Sequence, residues 1–414
     1  MNNIRRRDIL KFAAGASAGA FASPAVFRHA AWGAEAPVLV GSLHDQSGPL
    51  AGLGVPMTQC LTLAVDELNA AGGLLGRPVQ LVHYDTQSNI QLYSQYAQQL
   101  ALKDKVSVIH GGITSASREA IRPTFDRYKV LYFYNTLYEG GVCDRNIFCT
   151  GTTPAQTVEK LVPYSMNKWG KKAYIIAADY NYGQITAKWM TKYVTENGGQ
   201  VLSTDFFPLD VTNFGPTISK IQAAKPDFIF SVLVGSNHTS FYRQWAAAGM
   251  KEEIPIASTT FGLINETNTQ EATVTEGIVG AYGYLEELAT PASKIFVKKL
   301  RDRFGSEIPY ITELAACTYE GFWMWAEGVK KAGSVDRMKV IEAIEAGLDY
   351  DGPSGHVALD KQTHHATRNA ILGQVKNKAW TIVHTFENQK PLDTGGVCNL
   401  IERPNDQQQY IVKI

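Results

Sequence analysis

The chain has 414 residues, and its 39 Lys+Arg are balanced by 39 Asp+Glu, so its formal net charge is zero. That length allows two or three domains, and the balance gives no electrostatic reason for nucleic acid or an anionic membrane to be the main partner. A hydrophobic content of 45%, with 36 Gly and 17 Pro, excludes extended disorder, collagen, a small disulfide scaffold and a multi-span membrane protein.

Residues 1–36 read as an export address. A basic start, Arg5-Arg6-Arg7-Asp8-Ile9-Leu10-Lys11, precedes an Ala/Gly/Ser-rich apolar run from Phe12 to Phe27 and small residues at Ala31, Gly33, Ala34 and Ala36. The arginine pair ahead of that run has the form of a twin-arginine signal. Pro24 and Arg28 make the run too short for a membrane span. Gly15-Ala16-Ser17-Ala18-Gly19 matches a hydrolase nucleophile elbow in letters only, because it lies within the signal rather than between a strand and a helix. The address carries five basic residues (Arg5, Arg6, Arg7, Lys11, Arg28) and one acid, Asp8, within 1–33. The expected mature protein is therefore mildly acidic, soluble and periplasmic.

After the signal, strand and helix patterns alternate. Val38–Leu43 is a strand, Pro56–Ala71 a helix closed by Gly72-Gly73, Val79–Tyr84 a strand and Gln91–Lys103 a helix. Val106–His110 is a strand, Ala116–Tyr128 a helix and Val130–Asn135 a strand. The series restarts with helix Pro154–Trp169, strand Ala173–Ala178, helix Gly183–Asn197, strand Val201–Phe207, helix Phe214–Ala224, strand Phe228–Val234 and helix Asn237–Ala248. Strands at Ile254–Ser258 and Ile278–Tyr284 follow, then helices over Pro291–Phe304, Ile311–Ala332 and Asp336–Gly347. The tail alternates like short strands, with a hairpin turn at Lys376-Asn377-Lys378. Two tandem series of this kind predict an α/β protein of two doubly wound, Rossmann-like lobes.

In open α/β sheets ligands sit beyond the carboxyl ends of the strands. That rule selects Asp45–Gly48, Gly111–Ser115, Asn135–Tyr138, Asp179–Tyr182, Gly235–Asn237 and Thr259–Phe261. These loops are rich in hydroxyls, amides and tyrosines and poor in paired charges, which suits a small neutral polar ligand. Gly111-Gly112 offers close backbone approach, and Ser115 precedes a helix, where it is either an N-cap or a ligand contact. Catalytic signatures are missing: there is no Ser-His-Asp pattern, Walker loop or H-E-x-x-H. Glu286-Glu287 reads as a solvated strand end and His364-His365 as a solvated loop, and no Cys/His spacing suggests zinc. No metal or cofactor is expected. Of five cysteines, Cys60 and Cys317 read as small core residues, while Cys143 and Cys149 bracket a short loop. That spacing favours a Cys143–Cys149 bridge over two free thiols.

Four stretches carry a family resemblance: Leu63–Arg77, Gly112–Ala120, Tyr134–Gly140 with Asn146–Gly151, and Ala178–Tyr180 with Phe214–Asp227. From Val38 to Phe386 the chain resembles a type I periplasmic substrate-binding protein of an ABC transporter, in its urea and short-chain amide branch. The resemblance implies two lobes joined by three hinge crossovers, near Thr150–Pro154, Tyr284–Glu287 and Tyr350–Gly355. Lobe 1 would combine 37–152 with 286–350, and lobe 2 would combine 153–285 with 351–414. Ser115, Tyr134, Thr136 and Tyr180 match amide contacts, with Ile113 and Tyr284 at the pocket wall; Thr114 and Tyr182 complete the expected site. Ile113 stands where the branch has an aromatic, and Asn135 where it has proline. The Thr259-Thr260-Phe261 loop lacks the carboxylate with which amino-acid binders hold an ammonium. The expectation is a non-enzymatic, exported binder of urea, a short amide or a similar solute, partnered by membrane permease subunits. The alternatives are a branched-chain or other amino-acid binder, an amide-sensing regulator and an amidase.

Overall fold

A computed structural model describes residues 36–413, so the expected export signal lies outside the described residues save for Ala36. The first sheet is built from β1 (Val38–Leu43), β2 (Val79–His83), β3 (Val108–Gly111), β4 (Leu131–Tyr134) and, after the short β5 (Val142–Asp144), β6 (Ile147–Cys149). Its order is β2-β1-β3-β4-β6, all parallel. The second sheet takes β7 (Lys172–Ala178), β8 (Gln200–Phe207), β9 (Phe228–Val232), β10 (Ile256–Ser258) and β11 (Val279–Tyr282) in parallel. It continues antiparallel through β12 (Asp349–Gly352), β13 (Gly355–Leu359), β14 (Ala366–Lys376) and β15 (Ala379–Gln389). A last strand, β16 (Gln407–Gln409), pairs with β5.

The central strands of both sheets are buried on both faces because helices cover both faces. From Ala173 to Ala178 every β7 residue is buried, as is every residue of β9. In the first lobe, helices Ala51–Ala70 and Glu313–Ala332 bury Cys60, Leu61, Phe322 and Trp325 on one side, and Tyr93, Ile121 and Phe125 fill the other. Asn377 and Lys378 both take positive φ (51° and 65°), the two-residue turn that suits the twist of the β14–β15 hairpin.

The chain crosses between the sheets after β6, returns as helices between 291 and 345 and re-enters through β12, β13 and β14. Two fully buried carboxylates tie these crossings. Glu313 accepts from the Thr152 N–H and hydroxyl (2.9 and 2.8 Å) and from the Gly283 N–H (2.7 Å). Glu320 takes the Ser354 N–H (2.9 Å) and pairs with Arg368 (3.0 Å), whose Nη1 donates to the Thr150 carbonyl (2.6 Å). Glu313 and Glu320 lie seven residues apart and so project from one face of their helix.

Four expectations are corrected. Cys143 is bonded to Cys398, not to Cys149, which is a buried free thiol like Cys60 and Cys317. β5 turns Cys143 toward the C-terminal segment, whereas Cys149 faces the core beside Tyr134 and Tyr138. His364 and His365 are buried, not solvated: His364 stacks on Phe148 (4.2 Å) and bonds Glu345 (3.0 Å), and His365 bonds the Tyr138 hydroxyl. Glu286 and Glu287 brace the second crossing, accepting from the Ile311 N–H (2.9 Å) and the Tyr310 hydroxyl (2.5 Å). Finally, Thr114 rather than Ser115 caps its helix, accepting from the Ser117 N–H at 3.0 Å.

Candidate ligand-binding site

The two lobes meet face to face. Leu50, Leu53, Met57 and Ile113 of the first lobe share one apolar cluster with Tyr182, Leu233, Val234, Phe261 and Leu263 of the second. A Cβ on Gly52 would lie 3.3 Å from Ile264. The Trp189 indole N–H, on the Asn181–Glu196 helix, reaches the Glu139 carbonyl at 3.1 Å.

On the first lobe, β3 ends in Gly111-Gly112 and the Ser115–Tyr128 helix follows. These glycines serve the chain's own packing: Gly112 has φ +76°, and a Cβ there would meet the Tyr132 hydroxyl at 2.6 Å. The Ser117 and Arg118 N–H groups bond Thr114, whereas the Ser115 and Ala116 N–H groups bond nothing among the described residues. Such a helix start suits a carbonyl oxygen or an anion.

Three hydroxyls stand beside it, and each has already donated its proton. Ser115 donates to Glu139 Oε2, Tyr134 to the Ile113 carbonyl (3.0 Å) and Thr136 to the Gly112 carbonyl (3.3 Å). Carbonyl and carboxylate oxygens only accept, so these hydroxyls have lone pairs alone left for a ligand. Burial pushes the Tyr134 phenol upward in pKa.

Behind this wall lies an ion pair shielded from solvent. Arg118 Nη2 bonds Glu139 Oε1 at 2.9 Å, with both side chains fully buried. The guanidinium lies 5.0 and 4.6 Å from the ring centroids of Tyr134 and Tyr138. Burial works against the Arg118 charge, but Glu139, Tyr134 and Glu119 outweigh it and raise its pKa above the ordinary value. Sequence reasoning missed Arg118 and Glu139. The available signal was helical spacing: Arg118 shares the inward face with Ile121 and Phe125 and is a charge where an apolar residue belongs.

From the second lobe come Tyr180 and Tyr182, 6.1 Å apart. The Tyr182 hydroxyl bonds Thr259 Oγ1 at 2.9 Å, and Tyr180 is half-buried, its hydroxyl bonding nothing among the described residues. Burial raises both phenols, and Tyr134 and Glu139 lie close enough to add to the effect. Thus Ile113, Thr114, Ser115, Tyr134 and Thr136 gather on one side and Tyr180 and Tyr182 on the other. Tyr284 is not brought to them; it packs in the first lobe's core against Phe296, its hydroxyl 2.9 Å from Ser293. Asp45 is likewise internal, accepting from Thr86, Ser88 and Tyr93. At the hinge side of the cleft, Tyr138, Thr152, Tyr182, Thr186 and Thr259 line a cavity of about 10 Å³, the size of one water. Among the described residues no His/Cys/Asp/Glu group could hold a metal, and no helix is long and apolar enough to cross a membrane.

Two α/β lobes joined by several connections, with hydroxyl-bearing strand ends brought together where they meet, are the architecture of a solute-binding protein. The chain belongs to the periplasmic binding protein family, whose model matches residues 37–379. It is 23% identical over 382 residues to Leu/Ile/Val-binding protein homolog 6 of Brucella melitensis, covering 88% of this chain and 96% of that protein. Among solved structures it is similar to a solute binding protein of an ABC transporter from Rhodopseudomonas palustris HaA2 in complex with p-hydroxybenzoic acid. There the TM-score is 0.80 at 24% identity, covering 87% of this chain and all of that one. A leucine binding protein from Thermotoga maritima has a TM-score of 0.74 at 21% identity, covering 84% and 99%.

Proposed function

We propose that this protein is the periplasmic substrate-binding component of an ABC importer for urea, a short-chain amide or a similar small neutral solute. It delivers that solute to membrane permease subunits without altering it. The observation that carries the reading is the set of spent hydroxyls on the first lobe. Ser115, Tyr134 and Thr136 can only accept, while the Ser115 and Ala116 N–H groups can only donate. A primary amide or urea meets both demands, with its oxygen toward the helix start and its N–H groups toward the hydroxyls. A carboxylate would meet the helix start but face three lone-pair donors. Lobes divided at the three crossings, 37–152 with 286–350 and 153–285 with 351–389, with the segment after β15 returning to the first, would close over the ligand and present one closed shape to the permease.

A second reading, a branched-chain or other amino acid, is favoured by the Leu/Ile/Val-binding relatives. It requires a negative charge to offset the ammonium, and Thr259-Thr260-Phe261 offers no carboxylate, which leaves neutral hydroxyls as the acceptors. Titration calorimetry with urea, formamide, acetamide, leucine and 4-hydroxybenzoate tests the choice. Binding of at least one amide or urea, with unchanged ligand recovered afterwards, is expected. Binding of leucine or 4-hydroxybenzoate but of none of the others refutes the proposal, and ligand turnover refutes its non-enzymatic part.

A further inference from the structure

After β15 the chain leaves the second sheet and runs back onto the first lobe, a crossing beyond the three that the resemblance implies. Asp393 accepts from the Thr153 hydroxyl (2.7 Å) and the Ala155 N–H (3.1 Å) at the first crossover. Thr394 Oγ1 takes the Gly141 N–H at 3.0 Å. Cys398 is bonded to Cys143, and the Leu400 N–H bonds the Gln362 carbonyl at 2.7 Å. β16 then pairs with β5, setting Gln408 opposite Cys143. Arg122 Nη1 holds the Gln407 carbonyl at 3.0 Å. Gly141 is required here: its φ is +86°, and a Cβ would lie 2.0 Å from the Tyr410 carbonyl oxygen.

This strap ends on the ligand wall. Gln409 Nε2 donates to Glu139 Oε1 and lies 3.4 Å from the Gly140 carbonyl. Both partners only accept, so the amide nitrogen must face them. Glu139 is thereby held at both oxygens, by Arg118 and Gln409 on Oε1 and by Ser115 on Oε2. If the carboxylate could swing, the Ser115 proton would be free to turn toward the ligand, and the acceptor wall would be lost.

We infer that the C-terminal strap is a working part of the ligand site. Gln409 is a positioning residue for Glu139 and through it for Ser115, and the Cys143–Cys398 bond is the clasp that keeps Gln409 in place. The inference rests on the site proposed above. Its test uses Q409M, which keeps length but loses the donor; Q409K, which restores a donor; Q408A as a strap control; and C143A/C398A to open the clasp. Calorimetry with urea and formamide gives affinity. Amide hydrogen exchange at 115–118 in ligand-free protein gives a readout that needs no ligand.

Q409M is expected to weaken binding by up to about tenfold, as for loss of the one ligand hydrogen bond that Ser115 would accept, and to speed exchange. Q409K should return both toward wild type, Q408A should change neither, and C143A/C398A should follow Q409M. Wild-type binding and exchange in Q409M overturn the inference. Wild-type values in C143A/C398A overturn the clasp alone, and Q409M decides the strap if that double variant does not fold. If the wild type binds neither probe, the choice of ligand fails, and the exchange arm still decides the role of Gln409.

Discussion

Ser115→Ala separates ligand contact from internal bracing. The hydroxyl has two jobs in the proposed site: its proton goes to Glu139, and a lone pair is left to accept from the ligand. Loss of one net hydrogen bond to an amide N–H costs about 0.5–1.5 kcal/mol, a rise in Kd of about 2- to 13-fold. Loss of the donor to a carboxylate oxygen on Glu139, only 1% exposed, costs about 1–3 kcal/mol of folding stability. That second cost is present with and without ligand, so it cancels in the affinity. Calorimetry with urea or formamide should show the first effect, and guanidinium unfolding of ligand-free protein the second. Reduced stability with unchanged amide affinity would refute the acceptor-wall argument, because Ser115 would then only brace Glu139.

Three further outcomes are expected. His110 and His365 are both buried, and burial lowers their pKa to about 4 from 6.5. Between those values the unfolded chain binds more protons than the folded one. Stability should therefore fall as pH drops from 6.5 to 4, by up to about 3 kcal/mol for each. Guanidinium unfolding at pH 7 and pH 4.5 checks the slope, which H110Q/H365Q should flatten. Arg368→Met leaves Glu320 buried and unpaired at the crossings and should cost about 3–5 kcal/mol in the same assay. Gly183→Ala places a Cβ 2.0 Å from the Ala178 carbonyl, so the helix that carries Tyr182 must shift. It should destabilise by about 1–3 kcal/mol and weaken ligand binding, both absent if the helix start is slack.

The layered architecture was legible because strand and helix periods differ and each run was long enough to show its own. The β14–β15 hairpin was legible from its turn, and the strand-end loops from the rule that ligands sit beyond carboxyl ends. What escaped was every feature that depends on a partner remote in sequence. Ser115 was found, but Glu139, which decides the direction of its proton, was not, because nothing local joins positions 115 and 139. Glu313, Glu320 and Arg368 look like ordinary surface charges until the crossings converge on them. His364-His365 looked polar and solvated, yet Phe148 and Glu345 enclose His364. Family position puts Tyr284 at the pocket, and its own neighbours draw it into the core instead.

The native partner of Cys143 lies 255 residues downstream. A chain still missing its last turns holds Cys143 and Cys149 but not Cys398, and the short loop between the two makes their mispairing the fast reaction. β5 also has no β16 to pair with until the end of the chain arrives, so an unpaired strand edge stands open for as long as the chain is incomplete. Native pairing thus favours oxidation after the whole chain has collapsed, and early oxidation leads to a trapped isomer. Refolding from the reduced, unfolded state should be slower and lower in yield under strong oxidant than under a glutathione buffer that permits exchange.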